Sequence, residues 1–183
     1  MKTIGFNKNM LLMINELINN NLEYIIYEVS NHNKSFGDLS LNFNNKLLKI
    51  TNYEDMHGWD DEYDSSHFSC EFVDKYIPSV SNATTNKIYI NDKVIDINII
   101  YDEITNKYYH FNYDMALEIK TEKHTYIISR DYFYSELISI NIDKNFDEIY
   151  PISKVIEDWN EDSNYVTEIK RNKINIKERL NNN

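Results

Sequence analysis

The sequence predicts one α+β domain spanning residues 1–183, with a mostly antiparallel, meandering sheet, an N-terminal helix and further helices at the C-terminal end. Three observations lead there. Apolar residues keep helical spacing only near the two ends of the chain, whereas the residues between alternate in short runs. Turn-forming Asn and Asp residues separate those runs. The length of 183 residues is one domain's worth, and 42% hydrophobic residues with 15 Tyr and 8 Phe supply a core without staples.

In chain order, Met10, Leu11, Ile14, Leu17 and Ile18 place a helix over residues 8–20, which the Asn19-Asn20-Asn21 run ends. Leu22 to Val29, rich in Ile and Tyr, reads as a strand. Leu39, Leu41 and Phe43 alternate before an Asn44-Asn45 turn and a second run from Leu47 to Ile50, which together predict a hairpin. Residues 51–66 show no sustained period and read as a surface loop. Phe68, Cys70 and Phe72 then alternate in a short strand.

Lys87 to Ile90, an Asn91-Asp92 turn and Val94 to Tyr101 predict another hairpin, with Ile95, Ile97, Ile99 and Tyr101 on one face. Tyr109, Phe111 and Tyr113 form the next strand; Leu117 to Thr121 and Thr125 to Ser129 flank a Glu122-Lys123 turn; Leu137 to Ile142 is the last strand. Beyond Pro151, Ser153 can cap a helix through Trp159. Ser163 can cap a longer one carrying Tyr165, Val166, Ile169, Ile176 and Leu180 on one side.

Charge narrows the function classes. Nineteen Lys and Arg face 30 Asp and Glu, a net charge of −11. That balance argues against direct nucleic-acid binding, which needs a basic face to displace counterions, and points to a basic protein partner. Five cations against Glu178 alone make residues 170–183 a basic +4 end, so the preceding 169 residues carry −15. This basic segment can contact the acidic body of its own chain or that of a second copy in a homodimer.

No Lys or Arg lies between Lys49 and Lys75, a stretch that includes the segment from Tyr53 to Asp64. Candidate partner-binding residues there are Tyr53, Glu54, Asp55, Trp59, Asp60, Asp61, Glu62, Tyr63 and Asp64. A second cluster holds Glu157, Asp158, Trp159, Glu161 and Asp162, so both tryptophans of the chain sit among acids. Aromatic anchors ringed by charge are the composition of protein interfaces, where the ring supplies desolvated contact and the charges supply steering and register.

Catalytic signatures are missing. Gly5, Gly37 and Gly58 are too scattered for a phosphate-cradling loop, a dinucleotide fingerprint or a nucleophile elbow. One cysteine, Cys70, allows neither an internal disulfide nor a cysteine-based zinc site. His57, His67 and Cys70, with nearby carboxylates, form the alternative: a metal site or small enzyme. Their spacing matches no strong template, and on a strand residues 67 and 70 point to opposite faces. His110 reads as a sheet residue opposite Tyr109, Phe111 and Tyr113, and Arg130-Asp131 as a turn ion pair. A second alternative is a ligand-binding or adaptor domain that uses the Tyr109, Phe111 and Tyr113 face. No cofactor or metal is expected. The Met10–Ile14 run is too short for a signal peptide, and no stretch approaches the roughly 20 apolar residues of a membrane helix, so the cytoplasm is the expected compartment.

The stretch from Ala116 to Asp131, continuing to Tyr150-Pro-Ile-Ser-Lys-Val-Ile-Glu-Asp-Trp159, resembles bacterial immunity proteins encoded beside polymorphic toxins, including those of contact-dependent growth inhibition. Small size, acidity and Trp-bearing acidic clusters make the whole chain similar to them in type, with no defining motif and no functional residue to transfer. The resemblance implies a non-catalytic inhibitor that binds a cognate toxin domain, a nuclease such as an RNase, tRNase or DNase, and blocks its basic cleft.

Overall fold

The computed structural model describes residues 2–29, 35–60, 63–78, 83–130, 135–160 and 166–182; for residues 35, 36, 54–60, 63–65 and 158 it describes the backbone alone. Strand β1 (Lys2–Ile4) precedes helix α1 (Lys8–Asn15), which Asn7 caps by accepting the Met10 N–H at 3.0 Å. The helix is shorter than its apolar pattern, because turns continue to Asn19, whose left-handed φ of 68° reverses the chain. Strands β2 (Asn21–Val29), β3 (Ser35–Phe36), β4 (Asp38–Phe43), β5 (Lys46–Asp60) and β6 (Tyr63–Val73) follow. Asn44 and Asn45, both left-handed, make the β4–β5 turn as expected.

Strands β7 (Thr84–Thr105), β8 (His110–Thr121), β9 (Thr125–Arg130) and β10 (Ile138–Ile142) come next. Helices α2 (Phe146–Ile149) and α3 (Ile152–Asn160), strand β11 (Glu168–Asn175) and helix α4 (Ile176–Asn182) complete the chain. The sheet runs β3-β10-β9-β8-β7-β2-β4-β5-β6, with β11 added along β7 and β1 along β8; among the described residues only the β1–β8 pairing is parallel. The α+β class with a mostly antiparallel sheet is therefore observed.

Three expectations need correction. Asn91-Asp92 is no hairpin turn: β7 runs through it for 22 residues, pairing with β2 through Lys93 and with β8 from Val94. Asn91 has φ 50° and lies in a bulge where Ile90 and Asn91 face Glu23 alone, so the residue types of a turn bend a strand instead. Ile95 is a second bulged residue and is exposed, leaving Ile97 and Ile99 as the buried pair.

Residues 51–66 are not a loop, since β5 and β6 pair from Leu47↔Val73 to Asp55↔Ser65 and again at Asp60↔Tyr63. The C-terminal segment is not one long helix either. Residues 168–175 are β11, antiparallel to β7, and only α4 is helical.

Two cores result. Leu22, Ile25, Leu41, Leu48, Ile50, Phe68, Ile97, Ile99, Leu117, Ile119 and Ile128 fill the first, with Leu11 and Ile14 of α1. Phe111, Tyr113 and Met115 join Ile100, Ile104, Phe146, Tyr150 and Val155 in the second, under α2 and α3. Each fully buried large side chain contributes about 1.5–3 kcal/mol relative to exposure. A bulge beside Met115 separates the two sets: residues 111, 113 and 115 enter one core, and 117 and 119 the other, because one extra residue inverts the period-two facing.

Candidate functional site: an acidic ribbon and its root

Strand β5 pairs with β4 only as far as Asp38↔Thr51, while its ladder with β6 continues beyond. Past Thr51 the pair is thus a two-stranded ribbon, and it carries the first acidic cluster. Its sequence shows no apolar alternation, which is why it reads as a loop. The backbones of Glu54, Asp55, Trp59 and Asp60 lie in β5 and those of Tyr63 and Asp64 in β6; Asp61 and Glu62 lie outside the described residues. Tyr53 is 43% exposed, with its ring 5.9 Å from that of His67 across the ladder.

The second cluster divides. Trp159 is half-buried on α3, its ring 5.9 Å from Tyr109 and 6.0 Å from Phe111, so it covers part of the aromatic strand face. Glu157 is exposed, whereas the Asp158 side chain and residues Glu161 and Asp162 lie outside the described residues.

At the root of the ribbon lies a buried polar network that sequence reasoning missed. Arg130, 1% exposed at the end of β9, has its guanidinium 4.2 Å from the ring centroids of both Phe68 and Tyr113. Its Nη1 donates to the Ser66 carbonyl and the Tyr113 hydroxyl, and to Ser66 Oγ at 2.8 Å. The Tyr113 hydroxyl in turn donates to the Ser66 carbonyl at 3.0 Å. On β5, Asn52 Nδ2 donates to the carbonyls of Ser135 at 2.5 Å and Leu137 at 3.4 Å, and the Asn52 N–H to the Gly37 carbonyl at 3.2 Å.

Beside this network Asp114 is fully buried, accepting from the Phe6 N–H at 2.9 Å and from Arg179 at 3.3 Å. Burial pushes its carboxyl up to about 6 against the opposing pull of Arg179, the Phe6 N–H and Arg130. Burial likewise lowers the Arg130 guanidinium, with Tyr113 and Asp114 resisting, and raises the Tyr113 hydroxyl against Arg130 and Ser66.

The basic C-terminal segment is largely spent inside the molecule. Arg171 faces Asp102 across β11 and β7 and grips it with two bonds of 2.8 Å, while also reaching Asp147 at 2.8 Å and the Tyr150 carbonyl at 2.5 Å. Burial works against that cation, but the bonds and charge of Asp102, with Asp147 behind, outweigh it and hold the guanidinium above its usual value. Lys173 meets Glu118 at 3.0 Å. There too burial opposes ionisation, and bonds from Lys173 and Asn98 prevail, keeping the carboxyl below the ordinary range.

The residues of the metal or small-enzyme alternative lie apart where they are described. Cys70 is in the first core, and burial pushes its thiol up to about 12, far from a thiolate ligand or nucleophile at neutral pH. Cys70 pairs with Ile50 and His67 with Tyr53, so the two lie on opposite faces of β6; the His57 side chain lies outside the described residues. Among the described residues no group of three or more His, Cys, Asp and Glu side chains converges. His110 is an exposed sheet residue, bonded to Glu103 at 2.9 Å, and Asp131 lies outside the described residues. No described helix is long and apolar enough to cross a membrane. No protein-family model, curated protein or solved structure matches this chain.

Proposed function

We propose that this protein is an immunity protein, which binds a cognate bacterial toxin domain in the cytoplasm and neutralises it without catalysis. The partner is a nuclease with a basic active-site cleft, and the acidic β5–β6 ribbon occupies that cleft in place of nucleic-acid phosphates. Tyr53, Trp59 and Tyr63 act as aromatic anchors, and the acids of α3 form the secondary contact.

One observation carries this reading: acidic residues without an intervening cation are concentrated along the ribbon. Six acids between Glu54 and Asp64 have no Lys or Arg among them, while Arg171, Lys173 and Arg179 are engaged by Asp102, Glu118 and Asp114 in the body. An acidic projection of this kind steers a basic partner toward it, raising association rates to about 10⁸ M⁻¹s⁻¹ or more at low salt.

The test is co-expression with the C-terminal domain of a toxin encoded beside this gene, followed by affinity capture and binding kinetics over a salt series. Neutralising Asp60, Asp61, Glu62 and Asp64 together should slow association about tenfold or more at low salt and flatten its salt dependence. Equal kinetics at low and high salt would remove the ribbon from the interface.

A further inference from the structure

We propose that Arg130 is a positioning residue for partner binding: it clamps the root of the acidic ribbon to the body and fixes the direction in which the ribbon is presented. This rests on the ribbon being the partner-binding element. Among the described residues the ribbon has no further strand neighbour beyond Thr51, and two pins lie where it leaves the sheet. On β5 the Asn52 amide is held by the Ser135 and Leu137 carbonyls. On β6 Ser66 is held, through both its carbonyl and its hydroxyl, by Arg130. Arg130 ends β9, and Ser135 and Leu137 directly precede β10, so both strands of the ribbon are tied to the same connection.

The cost of the clamp separates positioning from bulk stability. Arg130 Nε and Nη2 are buried with no partner among the described residues, and Asp114 bonds to Arg179 and Phe6 instead. A buried, half-paired guanidinium is a poor way to stabilise a fold, and hydrophobic residues of similar volume in such places are often neutral or stabilising. Methionine would still fill the slot between Phe68 and Tyr113. Ser66 and Tyr113 would keep their bonds to each other, at 2.9 and 3.0 Å, so no partner is orphaned. What methionine cannot do is direct two hydrogen bonds at Ser66 of β6 and a third at Tyr113 of β8.

The experiment is amide hydrogen exchange on the free full-length protein, comparing wild type with Arg130→Met and with the milder Ser66→Ala/Tyr113→Phe pair, which leaves Arg130 in place. The expected result for Arg130→Met is exchange faster by about tenfold or more, confined to residues 52–66, with β7 and β8 amides unchanged and the thermal midpoint retained. The Ser66→Ala/Tyr113→Phe protein, which keeps the Arg130 bond to the carbonyl of residue 66, shows a smaller loss confined to the same residues, and it decides the matter should Arg130→Met fail to fold. Unchanged protection of residues 52–66 overturns the proposal, as does a loss spread evenly over the sheet. Dissociation of the toxin complex should quicken about tenfold in the loosened variants. A loosened ribbon with unchanged toxin affinity would leave the clamp standing and contradict the ribbon as interface.

Discussion

Replacing Arg171 by alanine removes the fork on Asp102, the bond to the Tyr150 carbonyl and the guanidinium lying 4.5 Å from the Phe146 ring centroid. The Asp102 side chain has 0% exposure, so the change strands a buried carboxylate. Breaking one side of such a pair costs about 3–5 kcal/mol, most of it the penalty on the charge left behind. The Asp147 contact adds little, since that side chain is 60% exposed. For a chain of this size the loss corresponds to a melting-point drop of roughly 6–20 °C. Urea denaturation with a constant m-value measures it directly. Adding Asp102→Asn to the Arg171→Ala protein should restore a large part of the loss, because no charge is then stranded; the double-mutant cycle isolates that coupling. A loss below about 1 kcal/mol for Arg171→Ala, or no recovery in the double variant, would show that β11 is not held by counter-charge.

Three further outcomes follow from the same physics. Because the Asp114 carboxyl is raised in the folded state, the fold holds its proton more tightly than the unfolded chain does. Its contribution is therefore complete below about pH 4 and lost as the pH rises through about 6, a swing of about 3 kcal/mol. The stability difference between wild type and Asp114→Asn should fall by that amount between pH 4 and 7, and a pH-independent difference would contradict it. Gly5→Ala places a methyl group onto Cβ, Cγ and Oδ2 of Asp114 and should cost several degrees of melting temperature; a neutral result would mean that β1 does not dock there. Cys70 should resist thiol reagents at pH 8 in the native state and react readily once the protein is unfolded in urea, as rapid native labelling would disprove.

Local signals in the sequence reach as far as local causes. The Asn44-Asn45 turn, the helical spacing of α1 and most strands of the two cores follow from neighbours in the chain and were legible. Asn91-Asp92 carries turn chemistry that serves a bulge, because pairing with β2 on one side and β8 on the other keeps β7 extended. Helical spacing in residues 165–180 gives way to β11 because Asp102 and Glu118, buried on β7 and β8, need cations opposite them, and that need is visible only across the sheet. The acids of the ribbon stand out in the sequence. The network at its root does not, since Asn52, Ser66, Tyr113 and Arg130 come from separate strands with no shared motif.

The most direct measurement is rescue of growth. The toxin domain encoded beside this gene is expressed in cells together with either the wild-type protein or the Asp60→Asn/Asp61→Asn/Glu62→Gln/Asp64→Asn variant at matched levels. An acidic ribbon that blocks a basic cleft predicts survival with the wild type and growth arrest with the neutralised variant. Arrest in both, or equal survival in both, would contradict it.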